Sequence, residues 1–211
     1  MNHFQNIGVK LAINRNEQIL WVGKPHKKCF VLESIFNPFL PFAILWFLFD
    51  FNFISLFMKS GGINTEINSF IVVFFAIHLM PVWIYIGGVL LTFLKYKNTE
   101  FAITDKAIYV SGGSLNFYSR VEKYDNIQSV QIKRGFFDQR LNVGDIVITL
   151  KTSNLRRSRS GYSRISYSST YSFNDTIEII DVHDYLNVLE LIQERLDLNN
   201  QTQQVENIEN Y

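Results

Sequence analysis

Its 211 residues give this chain room for a pair of helices and one domain of ordinary size, and for little more. A formal net charge of +1 excludes the strongly basic surface of a bulk nucleic-acid binder. The single cysteine, Cys29, excludes an internal disulfide framework and leaves too few thiols for a cysteine-based zinc site.

Residues 1–36 are polar to mixed and read as a cytoplasmic lead-in. Within it, Glu17–Pro25 is a short extended segment ended by Gly23 and Pro25. Trp21 either packs on a folded domain or lies at headgroup level, where indole rings are favoured. Two apolar blocks follow, Phe39–Met58 and Ser69–Leu94. Each is long enough to cross a hydrocarbon core, which takes roughly 20 helical residues. The linker Lys59–Asn68, with Gly61-Gly62, is short, so residues 37–96 are expected to form a transmembrane hairpin. The first block begins too late and runs too long for a cleaved signal, so it is expected to stay as an anchor. Lys10, Arg15, Lys24, Lys27 and Lys28 precede the first block, and Lys95, Lys97 and Lys106 follow the second. The positive-inside rule then puts both termini in the cytoplasm.

From Thr99 onward, short β-like runs alternate with turn residues. Phe101–Ile103 and Ala107–Val110 flank Thr104-Asp105-Lys106, a turn that ties its own backbone. Asn116–Tyr124 and Ile127–Arg134 follow, then a short turn or single helical turn over Phe136–Asn142. Gly135 and Gly144 read as positions of unusual φ or tight turns. Asp145–Lys151 sets Ile146, Ile148 and Leu150 on one face, and Thr176–Ile180 adds another β-branched run. Tyr185, Leu189, Ile192 and Leu196 then recur at helical spacing, with Asp181 or Asp184 as N-cap. The helix is expected to stop near Leu198, leaving 199–211 as a disordered polar tail. The fold class is α+β: the hairpin, then a sheet of about seven strands that curls to hide its edges, plugged by the last helix.

The runs FAITDKAIYVSGG at 101–113 and YDNIQSVQIKRGFFDQRLNVGDIVI at 124–148 resemble the bacterial pleckstrin-homology (PH) family of small membrane proteins with paired transmembrane helices. Thr104, Asp105, Ile127, Gln128, Ser129, Val130, Gly135, Arg140, Val143 and Gly144 fall on its motif positions. The lead-in NEQILWVGKP is similar to the family's segment before its first span. The resemblance implies a PH-like barrel over 97–198, an inner (plasma) membrane location and homo-oligomerisation through the barrel. The Ser-, Tyr- and Arg-rich stretch 152–175 is longer than the family's usual connection.

Candidate sites are few. His3, His26, His78 and His183 show no ligand spacing, and no nucleophile–base set or Gly-rich phosphate loop appears. No catalysis, metal or cofactor is expected. Folding the hairpin about Ile63–Asn64 brings Asp50 level with His78, roughly 12–13 Å below the outer ends of the spans. At that depth ionisable groups are normally partnered, so the pair reads as a clip fixing the hairpin register; a first span starting as early as Phe30 would instead leave Asp50 in the outer headgroups, and a functional proton or partner site is the third reading. Lys133, Arg134 and the loop residues Arg156, Arg157, Arg159 and Arg164 are candidate contacts for anionic lipid headgroups or for a partner. The expected function is a non-catalytic, membrane-tethered binding or scaffold module for lipids and membrane or cytoplasmic proteins, with no nucleic acid. The competing reading is a lipid-handling or transport-accessory role centred on Asp50 and His78.

Overall fold

A computed structural model of the chain describes residues 13, 16–59, 65–151 and 176–209. The elements run β1 (Ile19–Gly23), α1 (Lys27–Ile35), α2 (Leu40–Lys59), α3 (Thr65–His78), α4 (Met80–Asn98), β2 (Glu100–Thr104), β3 (Ala107–Gly112) and β4 (Tyr118–Lys123). A 3-10 turn, Tyr124–Asn126, leads into β5 (Ile127–Lys133), α5 (Phe136–Leu141), β6 (Gly144–Leu150), β7 (Thr176–Val182) and α6 (Tyr185–Glu209).

The seven described strands do not close into the expected barrel. They form two antiparallel sheets, β1-β2-β3-β4 and β5-β6-β7. The 3-10 turn separates β4 from β5, and its Tyr124 is buried, donating its hydroxyl to the Thr104 carbonyl at 2.8 Å. Between the sheets, Arg120 on β4 donates through Nη1 to the Thr176 carbonyl on β7 at 3.0 Å. One core fills the space: Phe101, Ile103 and Ile108 from the first sheet meet Ile146, Ile148 and Ile179 from the second. Val188 and Ile192 of α6 cover it, with Tyr185 and Leu196 alongside; Val188, which widens the apolar stripe in the sequence, is buried, and Leu189 is half-buried. In β5, Ile127 and Val130 both reach this core although they are three apart, because a bulge between Ile127 and Ser129 resets the alternation.

The lead-in is part of this domain. β1 pairs with β2, and both faces of β2–β3 are buried. On the second face Ala102, Ala107 and Tyr109 pack with Ile13 and Val22. Glu17 accepts from the Thr104 hydroxyl at 2.8 Å and the Tyr109 hydroxyl at 2.9 Å. Trp21 sits against the core. Thr104 Oγ1 also accepts from Ala107 N, and Asp105 Oδ1 accepts from Gln18 N at 2.8 Å, so the turn ties both itself and β1.

Two glycines behave differently from expectation. Gly135 (φ −77°) precedes α5 in extended backbone. At Gly144, a Cβ would lie 2.9 Å from Tyr185 Cγ, so close approach of the ring demands the glycine. The described glycine that does adopt a left-handed φ is Gly113 (+118°), in the β3–β4 turn.

The two apolar blocks are bent. No single described helix is long and apolar enough to cross a membrane. Two pairs pass on length and composition together: Lys27–Ile35 with Leu40–Leu56, bent by 51°, and Phe70–His78 with Met80–Asn98, bent by 54°. Asn37-Pro38 makes the first bend: Pro38 disfavours helix at Asn37. Asn37 donates to the Ser34 carbonyl and accepts from Phe39 N, satisfying groups on both sides. Pro81 makes the second, having no N–H to give Ile77. Val82 N turns to the Leu79 carbonyl, and Trp46 Nε1 donates to the His78 carbonyl at 2.8 Å. Trp83 Nε1 donates to the Ala76 carbonyl at 3.0 Å. The helix expected to end at Leu198 runs to Glu209, because Asn199 and Gln203, one turn apart, both donate to the Asp125 carboxylate.

Candidate functional site

Two polar constellations stand out, one within the apolar helices and one where α1 meets the head. In the first, His78 Nδ1 lies 2.8 Å from Asp50 Oδ1. Asp50 is 1% exposed, and its Oδ2 has no hydrogen-bond partner among the described residues. The imidazole is packed against aromatic rings: Trp46 and Phe74 stack on it with centroids at 5.1 and 5.3 Å. The helix end created by Pro81 sets this geometry, since His78 is the last residue of α3.

The second constellation joins residues far apart in sequence. α1 packs against α4 through the Ser34 and Thr92 hydroxyls, 2.6 Å apart, and through the Tyr85 hydroxyl donating to the Ile35 carbonyl at 2.8 Å. On its other side α1 faces α5 and the end of β7. There Cys29 Sγ donates to Asp138 Oδ1 at 3.2 Å, and Asp138 Oδ2 accepts from Gly135 N at 2.6 Å. His26 N donates to the Asp181 carbonyl at 2.8 Å. Asp181 takes left-handed backbone (φ +56°), and its N donates to Asp145 Oδ1 at 2.8 Å. Cys29, Asp138 and Asp181 are each 2% exposed or less, whereas Glu33 faces solvent. Burial pushes the Asp181 carboxyl up to about 7 against the opposing effect of the Cys29 contact, with the charges of Glu33, Asp145 and Asp138 adding to the rise. Burial likewise raises Asp145 to about 6. A cluster of acids brought out of water this way holds its negative charge only with compensation.

Of the basic residues singled out in the sequence, Lys133 and Arg134 are among the described residues. Lys133 is exposed at the end of β5, opposite Asp145. Arg134 gives Nε to the Val143 carbonyl at 2.8 Å and Nη2 to the Asp138 carbonyl, and lies 4.9 Å from the Tyr185 ring centroid. Its guanidinium thus ties the α5 turn together. Arg156, Arg157, Arg159 and Arg164 lie outside the described residues, as does the whole stretch 152–175.

The bacterial PH domain family matches residues 41–196. The chain belongs to this family. The match takes in nearly all of α2, then α3, α4, strands β2–β7 and the first half of α6, while β1 and α1 precede it. No curated protein and no solved structure matches the chain. PH domains serve in general as non-catalytic binding modules, with lipids or proteins as partners.

Proposed function

We propose that the chain is a PH binding or scaffold module held at the cytoplasmic face of a bacterial inner membrane, with α1–α2 crossing as one bent span and α3–α4 crossing back as another. The observation that carries this is the outward face of those helices. Leu45, Phe49, Phe51, Leu56, Phe70 and Leu90 are all at least 60% exposed, an apolar surface far beyond what water-facing monomers carry. At the Pro81 break the His78 and Ala76 carbonyls accept from the Trp46 and Trp83 indoles, the kind of internal partner that hydrocarbon surroundings demand. Lys24, Lys27 and Lys28, with Lys95 and Lys97, lie at the head end of both, which favours a cytoplasmic head. Domains 37–96 and 97–198 are then anchor and head.

Asn98 at the end of α4 donates to the Gly113 carbonyl at 2.9 Å, fastening the β3–β4 turn to the point of membrane exit. Leu115 and Phe117 on that turn are exposed and reach the headgroup layer in this reading. Anionic lipid headgroups are the proposed lipid partners. Unpaired sheet edges offer strand addition to membrane or cytoplasmic proteins, or to a second copy of the chain. The second reading, a lipid-handling or transport-accessory role, draws on the Asp50–His78 contact and the unpartnered Asp50 Oδ2.

Alkaline carbonate extraction of membranes from expressing cells tests the anchor. The chain is expected to stay in the pellet until detergent is added, and release by carbonate overturns the proposal. Deleting 155–173 is expected to weaken capture of a crosslinked partner in membranes. Loss of function on Asp50→Leu, with capture intact, transfers the role to the intramembrane pair.

A further inference from the structure

The acidic pocket between α1 and the head has the donor set of a metal centre. One ligand atom from each of Cys29, Glu33, Asp138 and Asp181 lies within 4.8 Å of all the others. Acidic clusters by themselves are common, and this one is set apart by what is buried in it. Asp181 is 2% exposed, and its Oδ1 has no hydrogen-bond partner among the described residues. A buried acceptor left unmatched costs free energy that a bound ion would return. The Cys29 thiol supplies one proton to the group, to Asp138, and the neighbouring Arg134 is turned to backbone carbonyls.

We propose that Cys29, Glu33, Asp138 and Asp181 bind a divalent transition-metal ion, zinc in the first instance. The thiol selects against magnesium and calcium, which take oxygen ligands, and a sulfur with carboxylate oxygens suits zinc. The spacing agrees. Tetrahedral zinc, with its ordinary bond lengths, holds sulfur and oxygen ligands about 3.5 Å apart, and Cys29 Sγ already lies 3.2 Å from Asp138 Oδ1. Glu33, on the exposed edge, gives the ion a way in and closes the site behind it. On binding, Cys29 loses its thiol proton to solvent and the carboxylates bind ionised.

The ion has a mechanical consequence. Cys29 and Glu33 belong to α1, Asp138 to α5 and Asp181 to β7. A metal at their meeting point staples the helix that leads into the anchor onto the head. Asp138 and Asp181 lie outside both candidate spans, while Cys29 and Glu33 sit on α1, the part of the first bent pair that packs on the head, so binding of the ion does not depend on whether that pair crosses a membrane.

The test uses the tag-free full chain in detergent, titrated with Co2+ and then Zn2+. One equivalent of Co2+ is expected to give a thiolate-to-cobalt charge-transfer band in the near ultraviolet, bleached by Zn2+ and absent in Cys29→Ser. Glu33→Gln, a change at an exposed side chain, is expected to weaken Zn2+ binding by roughly tenfold or more, since even outer-shell partners are worth about that much. Zn2+ is expected to slow amide exchange in α1. Absence of the band, or Zn2+ affinity unchanged in Glu33→Gln, overturns the proposal. Circular dichroism of each metal-free variant checks folding, and if Cys29→Ser fails to fold, the Glu33→Gln titration decides alone.

Discussion

Lys24 and Glu100 show how much one pair carries. Glu100 is 1% exposed, the first residue of β2, and its carboxylate meets Lys24 Nζ at 3.0 Å. Removing the lysine alone strands a charge in the interior, at a cost of about 3 kcal/mol. Lys24→Met is therefore expected to lower the melting temperature sharply, and Lys24→Met/Glu100→Met to recover much of the loss. Equal destabilisation in the single and double variants would show that packing of the lysine stem, not the charge, matters. The pairing was invisible in the sequence, where Lys24 counted as one of several basic residues flanking an apolar block. Asp50 and His78 were different: folding the two apolar blocks back about Ile63–Asn64 sets them level by arithmetic, and they meet at 2.8 Å.

Elements with a strong period were legible too. β6 alternates Ile146, Ile148 and Leu150 inward as its sequence reads. The extent of α6 was not, because nothing in a stretch of Asn and Gln announces a distant acceptor. Asp125 sits in the 3-10 turn and takes hydrogen bonds from Asn199 and Gln203. Residues 200–205 of α6 are all exposed, so without it that stretch has little packing to hold it, and isolated helix of that length is marginal in water. Asp125→Ala is expected to speed amide exchange over 199–209 while leaving β6 and β7 protected. Uniform protection along α6 in the variant would refute the anchoring role. The breaks at Asn37-Pro38 and Pro81 were signalled by the prolines themselves, yet the apolar run on either side of Pro81 reads as continuous.

For the molecule as a whole, what hydropathy divides into lead-in, anchor and head is two interlocked bodies. Cys29, Glu33, Asp138 and Asp181 share no spacing a reader can find, since α1, α5 and β7 meet only after the fold forms. Closure into a barrel was inferred from strand count, and strand count does not say where a 3-10 turn interrupts pairing. The lead-in's share in the head yields a test at this scale. Deleting residues 1–24 removes β1, Glu17 and Lys24 and uncovers the Ala102–Tyr109 face, although the family match begins only at residue 41. The truncated chain is expected to be protease-sensitive and aggregation-prone, whereas one lacking 199–211 keeps a resistant core. A resistant core after loss of 1–24 would make β1 an ornament.

The pairing of β1 with β2 also orders events on the ribosome. Gly23 meets Phe101 and Val22 meets Ala102, so the first strand must wait while every helix between them is translated. At 5–20 residues per second that delay lasts several seconds, and a pairing so distant along the chain closes slowly even then. Until it closes, β2 offers a bare apolar edge to any protease or chaperone nearby.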